Sequence, residues 1–316
     1  MKLSQLVDYC NQLDQIDLEP HCSNATRHLD GIAHVVRNHE MQVGGHTSNL
    51  DSNLNDIKSG IDKFRSTLSS MRDDLQKQIV AQEPAYFQES LRLHEQEMCF
   101  ETTEYILNRR LSIDSNSDII LRTHLRTYGD WRLPGMIIRP GKETFIEDMV
   151  PLDPLYLVDH NQDLLNPSME QFTIEYRRRL RPYIINDWQW HMHKILDQLP
   201  NNQFGLIFAY NYFNYKPMEV IQKYLDEILE KLRPGGVFIM TYNDCDRAHG
   251  VALAEQNFMC YTPGSRIRKY AESIGFETVY QHTGQGDLSW VELKRPGEIT
   301  SIRGGQSLAR IVAKSK

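Results

Sequence analysis

Cysteine, histidine, clustered arginine and strand-terminal acids are the side chains in this sequence with the most direct routes to chemistry. The five cysteines, Cys10, Cys22, Cys99, Cys245 and Cys260, are odd in number and widely spaced, with no Cys-x-x-Cys pair. Neither a disulfide framework nor a zinc site follows from them. His21, His28, His34, His39 and His46 crowd one stretch, but no two have the one-turn spacing of helical metal ligands, so solvated or capping histidines are expected and no metal is assigned. Arg177, Arg178, Arg179 and Arg181 could recognise phosphate, although positive charge in the last turn of a helix is the commoner arrangement. Four polar groups close short apolar runs. Arg139-Pro140-Gly141 follows Met136–Ile138, and Asp159-His160 follows Leu155–Val158. Asn186-Asp187 follows Tyr183–Ile185, and Tyr210-Asn211-Tyr212 ends the run from Phe204. Open α/β sheets bind ligands in the crevice outside the carboxyl ends of their strands, and a carboxylate there can accept two hydroxyls.

The elements that must position these groups differ along the chain. From Leu50 the apolar residues Leu50, Leu54, Ile57, Ile61, Phe64, Leu68, Met71 and Leu75 step by four and three. That is a heptad seam with charged flanks, and it predicts a coiled-coil helix over about 46–83. Gly60 weakens it by about 1 kcal/mol against alanine. Pro84 is expected to end this helix or begin the next. The seam serves either self-association into a homo-oligomer or packing within the chain's own hairpin. Leu3, Leu6, Val7, Cys10, Leu13 and Ile16 mark an earlier amphipathic helix. Another runs from about Asn24 to Asn38, with Leu29, Ile32, Val35 and Val36 as its stripe and Ser23 or Asn24 as its cap. Residues 85–111 and 118–128 are helical in composition. Residues 1–128 therefore read as an all-helical region, and the texture changes at Gly129.

From 129 to 316, short apolar runs alternate with amphipathic helices, which means crossover units and a mostly parallel sheet. Strands are expected at 136–138, 155–158, 183–185, 204–210, 237–242 and 276–281. Late strands at 288–294 and 307–313, joined without a helix, suggest an antiparallel finish. Helices are expected at 142–149, 168–180, 218–232 and 264–274. The strand Phe204-Gly-Leu-Ile-Phe-Ala-Tyr-Asn and the helix, turn and strand Tyr224-Leu-Asp-Glu-Ile-Leu-Glu-Lys-Leu-Arg-Pro-Gly-Gly-Val-Phe-Ile-Met-Thr resemble the fourth and fifth strands of class I S-adenosylmethionine-dependent methyltransferases. The resemblance covers about residues 130–316. It implies a Rossmann-like methyltransferase sheet, mostly parallel with an antiparallel final strand.

The resemblance also implies roles. The loop after the first strand, Arg139-Pro140-Gly141, would approach the cofactor. It holds one glycine where the family is glycine-rich, and Arg139 stands where the family has an acid. Asp159, with His160 beside it, would hold the ribose hydroxyls. Asn186 and Asp187 would meet the adenine, with Trp188 flanking the base. Tyr210, Asn211 and Tyr212 would face the methyl donor. Each has a structural alternative: Asp159 and Asp187 can cap the turns that follow them, Gly141 can be a turn glycine, and the tyrosines can simply pack. Methyl transfer needs positioning and water exclusion, and a base only where the acceptor is weak. No fixed triad is required, and none is present. If a proton must be removed, His160, His191 and Asp244 are placed for it by sequence position.

Charge bears on the acceptor. Of 35 basic and 42 acidic residues, 13 and 20 lie in 1–130, so the remainder is balanced at 22 and 22 and the net −7 belongs to the helical region. A phosphate-neutralising surface is not indicated, and the Asn-Pro-Pro-Tyr and Pro-Cys motifs of base-modifying enzymes are missing. Nucleic acid is therefore a poor acceptor, and a small molecule or a protein is the better one. There is no leader-like or membrane-spanning apolar run, which suggests a cytoplasmic setting, cellular or viral. Three readings stand at this point. The first is a methyltransferase using S-adenosylmethionine. The second is a cofactor-free relative of that fold acting in assembly through its coiled coil. The third is a nucleotide-binding module.

Overall fold

The computed structural model describes residues 1–15, 18–43, 48–95, 114–140, 145–170, 172–284 and 289–298. The Gly141 loop, segment 96–113 and the expected strand at 307–313 lie outside the described residues. Two compact units are present, Met1–Pro84 and Ala85–Lys316, whereas the sequence texture changes at Gly129.

The first unit contains α1 (Leu3–Gln15), α2 (Leu18–Val43) and most of α3 (Ser48–Glu95). Asp14 pairs with Arg72 at 2.8 Å, and Asp30 pairs with Lys58. Cys10 lies 3.9 Å from Gln76. Rising numbers on one side meet falling numbers on the other, so α1 and α2 run antiparallel to α3 as a helical hairpin. Leu3, Leu6, Val7 and Cys10 form the buried face of α1, as its periodicity predicts. On α2 the expected stripe is rotated. Ala33 is buried and Leu29 half-buried, while Ile32 and Val35 face outward. Ser23 and Asn24 sit inside this helix and do not cap it. α3 does not stop at Pro84. One missing N–H removes one backbone hydrogen bond, and the turns after it are held by tertiary contacts. Phe87 packs edge-on against Tyr261 at 5.1 Å, and Ser90 Oγ accepts the Tyr261 N–H at 2.8 Å.

Beyond α3, the second unit holds α4 (Ser115–Tyr128), β1 (Gly135–Ile138), α5 (Ile146–Met149), β2 (Leu155–Asp159), α6 (Gln162–Glu170), α7 (Ile174–Arg177) and β3 (Leu180–Ile184). It continues through β4 (Phe204–Ala209), α8 (Met218–Lys231), β5 (Leu232–Tyr242), α9 (Ala248–Glu255), α10 (Gly264–Ser273), β6 (Glu277–Thr283) and β7 (Ser289–Lys294). The strands form one sheet in the order β3-β2-β1-β4-β5-β7-β6. β1 to β5 are parallel, and β7 runs antiparallel to β5 and β6. The antiparallel finish thus comes from 277–283 and 289–294. β3 begins three residues earlier than expected and carries Pro182, which an edge strand tolerates because one row of its backbone groups pairs with no neighbour. The helix expected at 168–180 is replaced by α6, α7 and the start of β3.

Side chains alternate across the sheet. Met136, Ile138, Ile207, Phe238 and Met240 point to the layer of α8 and α10. Ile137, Leu206, Phe208, Val237 and Ile239 point to the layer of α4, α5 and α6. This period of two on doubly covered strands is what makes their sequences read as continuous apolar runs. At Gly235 the chain takes φ of 79°, and the β4–β5 register shifts between Phe204 and Leu206. The Pro-Gly-Gly turn is therefore an irregularity inside β5 and not a loop before it.

Candidate functional site

β1 and β4 are neighbours, and the connection after β1 runs to β2 on one side while that after β4 runs to β5 on the other, which opens a crevice at their carboxyl ends. Four strand ends deliver polar groups there. Arg139 follows β1 with φ of 55° and is buried. Its N–H donates to the Val158 carbonyl at 2.7 Å, which continues the β1–β2 ladder. Its guanidinium lies 4.5 Å above the Tyr212 ring, and one nitrogen is 3.4 Å from His160 Nδ1. The side chain therefore reaches across the crevice, from the end of β2 to the segment after β4.

Asp159 closes β2 and has no exposed surface. Its Oδ1 accepts the Asn161 N–H at 3.1 Å and lies 3.4 Å from His160 Nδ1. The capping alternative is thus realised at one oxygen. Asp187, after β3, is also fully buried. Its Oδ2 lies 2.7 Å from Lys216 Nζ and accepts from the Tyr212 hydroxyl at 2.5 Å, with the Tyr224 hydroxyl at 3.5 Å. Burial raises the proton affinity of this carboxyl, but Lys216, His160 and the Tyr212 hydroxyl outweigh burial and hold its pKa below the ordinary carboxylate range. The carboxylate is committed to that cluster. At the same strand end Asn186 accepts the Trp188 N–H at 3.2 Å through its side chain. The Trp188 indole stacks on His94 of α3 at 4.9 Å, and Lys216 Nζ lies 5.1 Å from its ring.

After β4, two tyrosines two residues apart diverge. Tyr210 packs on Phe145 at 4.7 Å in the α4–α6 layer, so its packing alternative holds. Tyr212 turns the other way, into the Asp187 cluster. Asn211, with φ of 50°, donates its N–H to Thr241 Oγ1 at 2.7 Å. Pro140 is buried beside Arg139, and Gly141 lies outside the described residues. His191 is exposed. Sequence reasoning missed Lys216 altogether. The available signal was a single lysine in the aromatic run Tyr212-Phe213-Asn214-Tyr215, where a cation can rest on ring faces.

Asp244 lies just past β5 and is buried. Its Oδ1 accepts the N–H of Asp246 at 3.2 Å and of Gly264 at 3.4 Å. Burial, with the negative charge of Asp246, pushes its carboxyl up to about 6. Gly250 is required beside it, because a Cβ there would lie 2.2 Å from the Asp244 carbonyl oxygen. Among the described residues no group of His, Cys, Asp and Glu is placed to hold a metal. Nor is any helix among them long and apolar enough to cross a membrane.

No family model matches the chain, and no curated protein matches it in sequence. Among solved structures it is similar to the N-methyltransferase NodS of Bradyrhizobium japonicum in complex with S-adenosyl-L-homocysteine. That match has 15% identity over 63% of this chain and 98% of the other, with a TM-score of 0.47. It is also similar to geranyl diphosphate C-methyltransferase of Streptomyces coelicolor, at 7% identity over 64% and 98% of the two chains and a TM-score of 0.48. A third is an S-adenosylmethionine-dependent methyltransferase of Clostridium acetobutylicum, at 13% identity over 59% and 94% and a TM-score of 0.44. The strand order, with β7 inserted antiparallel between β5 and β6, decides the architecture. The second unit has the class I methyltransferase fold.

Proposed function

We propose that the second unit binds S-adenosylmethionine and transfers its methyl group to a small-molecule or protein acceptor. The observation that carries this reading is Asp159, a fully buried carboxylate at the end of β2, beside the switch point of a methyltransferase-type sheet. A carboxylate there suits the two ribose hydroxyls. Arg139 reaches across the same crevice and suits the carboxylate of the cofactor's amino-acid end, since guanidinium and carboxylate pair through two parallel hydrogen bonds. Asp187 is committed to Lys216, so the adenine contact falls to Asn186 and to the Trp188 indole.

When bound, the cofactor supplies an electrophilic methyl carbon on a sulfonium. The residues of this chain then orient the acceptor and exclude water. Asp244 is the best-placed proton acceptor, because a carboxyl near 6 is ionised at neutral pH and still basic enough to accept a proton. His160 is drawn toward Asp159 and Arg139 instead.

Calorimetric titration with S-adenosylmethionine and S-adenosyl-homocysteine tests the reading. Micromolar binding, weakened by about tenfold or more in Asp159→Asn, is expected, since losing hydrogen bonds to a charged group removes about 1.5–3 kcal/mol. Folded protein that gives no heat at millimolar ligand overturns it.

A further inference from the structure

The groups that the crevice offers a ligand are covered by the protein itself. Asp159 and Asp187 have no exposed surface, and Arg139 is 3% exposed. Such side chains meet a ligand only after their cover has moved. Part of that cover comes from strand ends. Lys216 Nζ is 2.7 Å from Asp187 and 5.1 Å from the Trp188 ring. His160, 3.4 Å from Asp159, stands edge-on to the same ring at 6.2 Å. A further layer comes from the end of α3. His94, 1% exposed, stacks on Trp188 with ring centroids 4.9 Å apart and planes 15° apart. The same helix end is fastened at a second place. Ser90 Oγ accepts the Tyr261 N–H at 2.8 Å, and Phe87 and Tyr86 lie 5.1 and 5.4 Å from the Tyr261 ring. Leu93 packs on Cys260, and the Tyr86 hydroxyl donates to Glu255 at 3.3 Å. Cys260 is itself tied to the segments after β4 and β5. Its N–H donates to the Asn214 carbonyl at 3.0 Å, and its carbonyl accepts from Asn243 Nδ2 at 2.9 Å. In the sheet, β2, β1 and β4 lie between β3 and β5. Phe87 to His94 spans about 10 Å of helix. Residues 85–95 therefore form a strap across the carboxyl edge of the sheet, held at Trp188 after β3 and at Tyr261 beside the ends of β4 and β5.

We propose that this strap is an autoinhibitory gate: His94 holds the face of Trp188 that the adenine of the cofactor needs, and residues 85–95 lift before the cofactor enters. The inference rests on the S-adenosylmethionine reading and adds a regulation to it. Imidazole and adenine are both flat heteroaromatic rings, and a parallel, offset stack on the indole suits either. They therefore compete for one face. The strap is also built to move. Its contacts named above are ring faces, hydroxyls and one leucine, each weak alone. Lys216, on the same indole, is instead fixed by a buried ion pair with Asp187. Pro84 stands inside α3 one residue before the strap, where the missing backbone hydrogen bond lets a helix bend.

Hydrogen exchange of the full chain, with and without saturating S-adenosyl-homocysteine, tests this. The amides of residues 87–94 are expected to exchange about fivefold faster or more in the complex, because the strap has left its seat. Calorimetric titration with the same ligand supplies a second reading. A closed gate lowers apparent affinity by the fraction of molecules that are open, so His94→Ala is expected to bind about tenfold more tightly than wild type. Ser90→Ala loosens the strap at Tyr261 without touching Trp188 and should shift affinity the same way, by about threefold. Slower exchange on binding, or weaker binding by His94→Ala, overturns the proposal, since the strap then closes on the cofactor as part of its cradle. No change in exchange or in affinity overturns it too, since the strap is then a fixed wall. If wild type binds and neither variant binds more tightly, the gate alone fails. If none of the three proteins binds, the methyltransferase reading fails with it.

Discussion

The two units bury apolar surface by different means. In the α/β unit each central strand sends alternate side chains into two helix-covered layers. Phe204, Ile207, Tyr224, Ile228, Phe238 and Trp290 have no exposed surface. In the hairpin unit a helix pair offers one line of contact. Leu3 and Leu6 are fully covered, yet Ile57, Phe64 and Met71 remain more than half exposed. The same contrast governs ions. Lys216 and Asp187 pair with both side chains fully buried, whereas Arg72 and Asp14 pair at 58% and 44% exposure. One unit is complete in itself and can hold a charge away from water. The other is held by a thin seam and leaves apolar side chains in water.

Five substitutions would break or sharpen this contrast. The largest effect is expected from Lys216→Met, which strands the buried Asp187 carboxylate and should destabilise the α/β unit by about 3–5 kcal/mol in urea denaturation. In the wild type the pair's contribution is present above the ordinary carboxylate pKa of about 4 and is lost in stronger acid, as pH falls through the lowered folded-state value. A loss below about 1 kcal/mol would mean that water reaches this pair after all.

Next is a matched pair of core truncations. Leu225→Ala, at a fully buried site on α8, should remove about 2–5 kcal/mol. Leu68→Ala, half-buried on α3, should remove less than half as much in the same assay. Equal losses would erase the difference in packing density.

Asp244→Asn is smaller and opposite in sign. Folding raises the proton affinity of this carboxyl, so stability falls as pH rises from about 4 through about 6 and stays lower beyond. The asparagine can still accept from Asp246 and Gly264 and should gain about 1–3 kcal/mol at about pH 7, with a flatter pH profile and slower methyl transfer. An unchanged slope in pH-dependent thermal melts would remove Asp244 as the source. The smallest effect is expected from Arg72→Ala, under about 1 kcal/mol, because both partners of its ion pair are solvated. Differential scanning calorimetry at two salt concentrations would check it. A salt-independent loss of several kcal/mol would show that the hairpin depends on this pair.

Much of the sheet was legible because doubly covered strands declare themselves as apolar runs bounded by turn residues. Asp159 was legible for the same reason, since it ends such a run. Other features were hidden. Tyr210 and Tyr212 looked equivalent in sequence, since a strand's period of two would put them on one face, yet β4 ends at Ala209 and the positive φ of Asn211 between them breaks the alternation, so one goes into packing and one to Asp187. The stripe on α2 was misplaced because Ala33 outweighs neither Ile32 nor Val35 by hydrophobicity. The antiparallel fit against α3, and not side-chain size, turned Ala33 inward. Pro84 looked like a helix end because a local rule was applied where contacts such as Phe87 to Tyr261 prevail.

By itself the sequence determined what depends on near neighbours: the heptad seam of α3, the alternation that makes a parallel sheet, and the acid that closes β2. Tertiary structure decided which half of the seam is covered, which tyrosine faces the crevice, and that Lys216 and Asp187 meet beneath Trp188. The physical reason is distance along the chain. Periodicity is a property of residues three to seven apart, while burial and ion pairing across the crevice require crossovers that bring residues 94, 139, 160, 187 and 216 to one place.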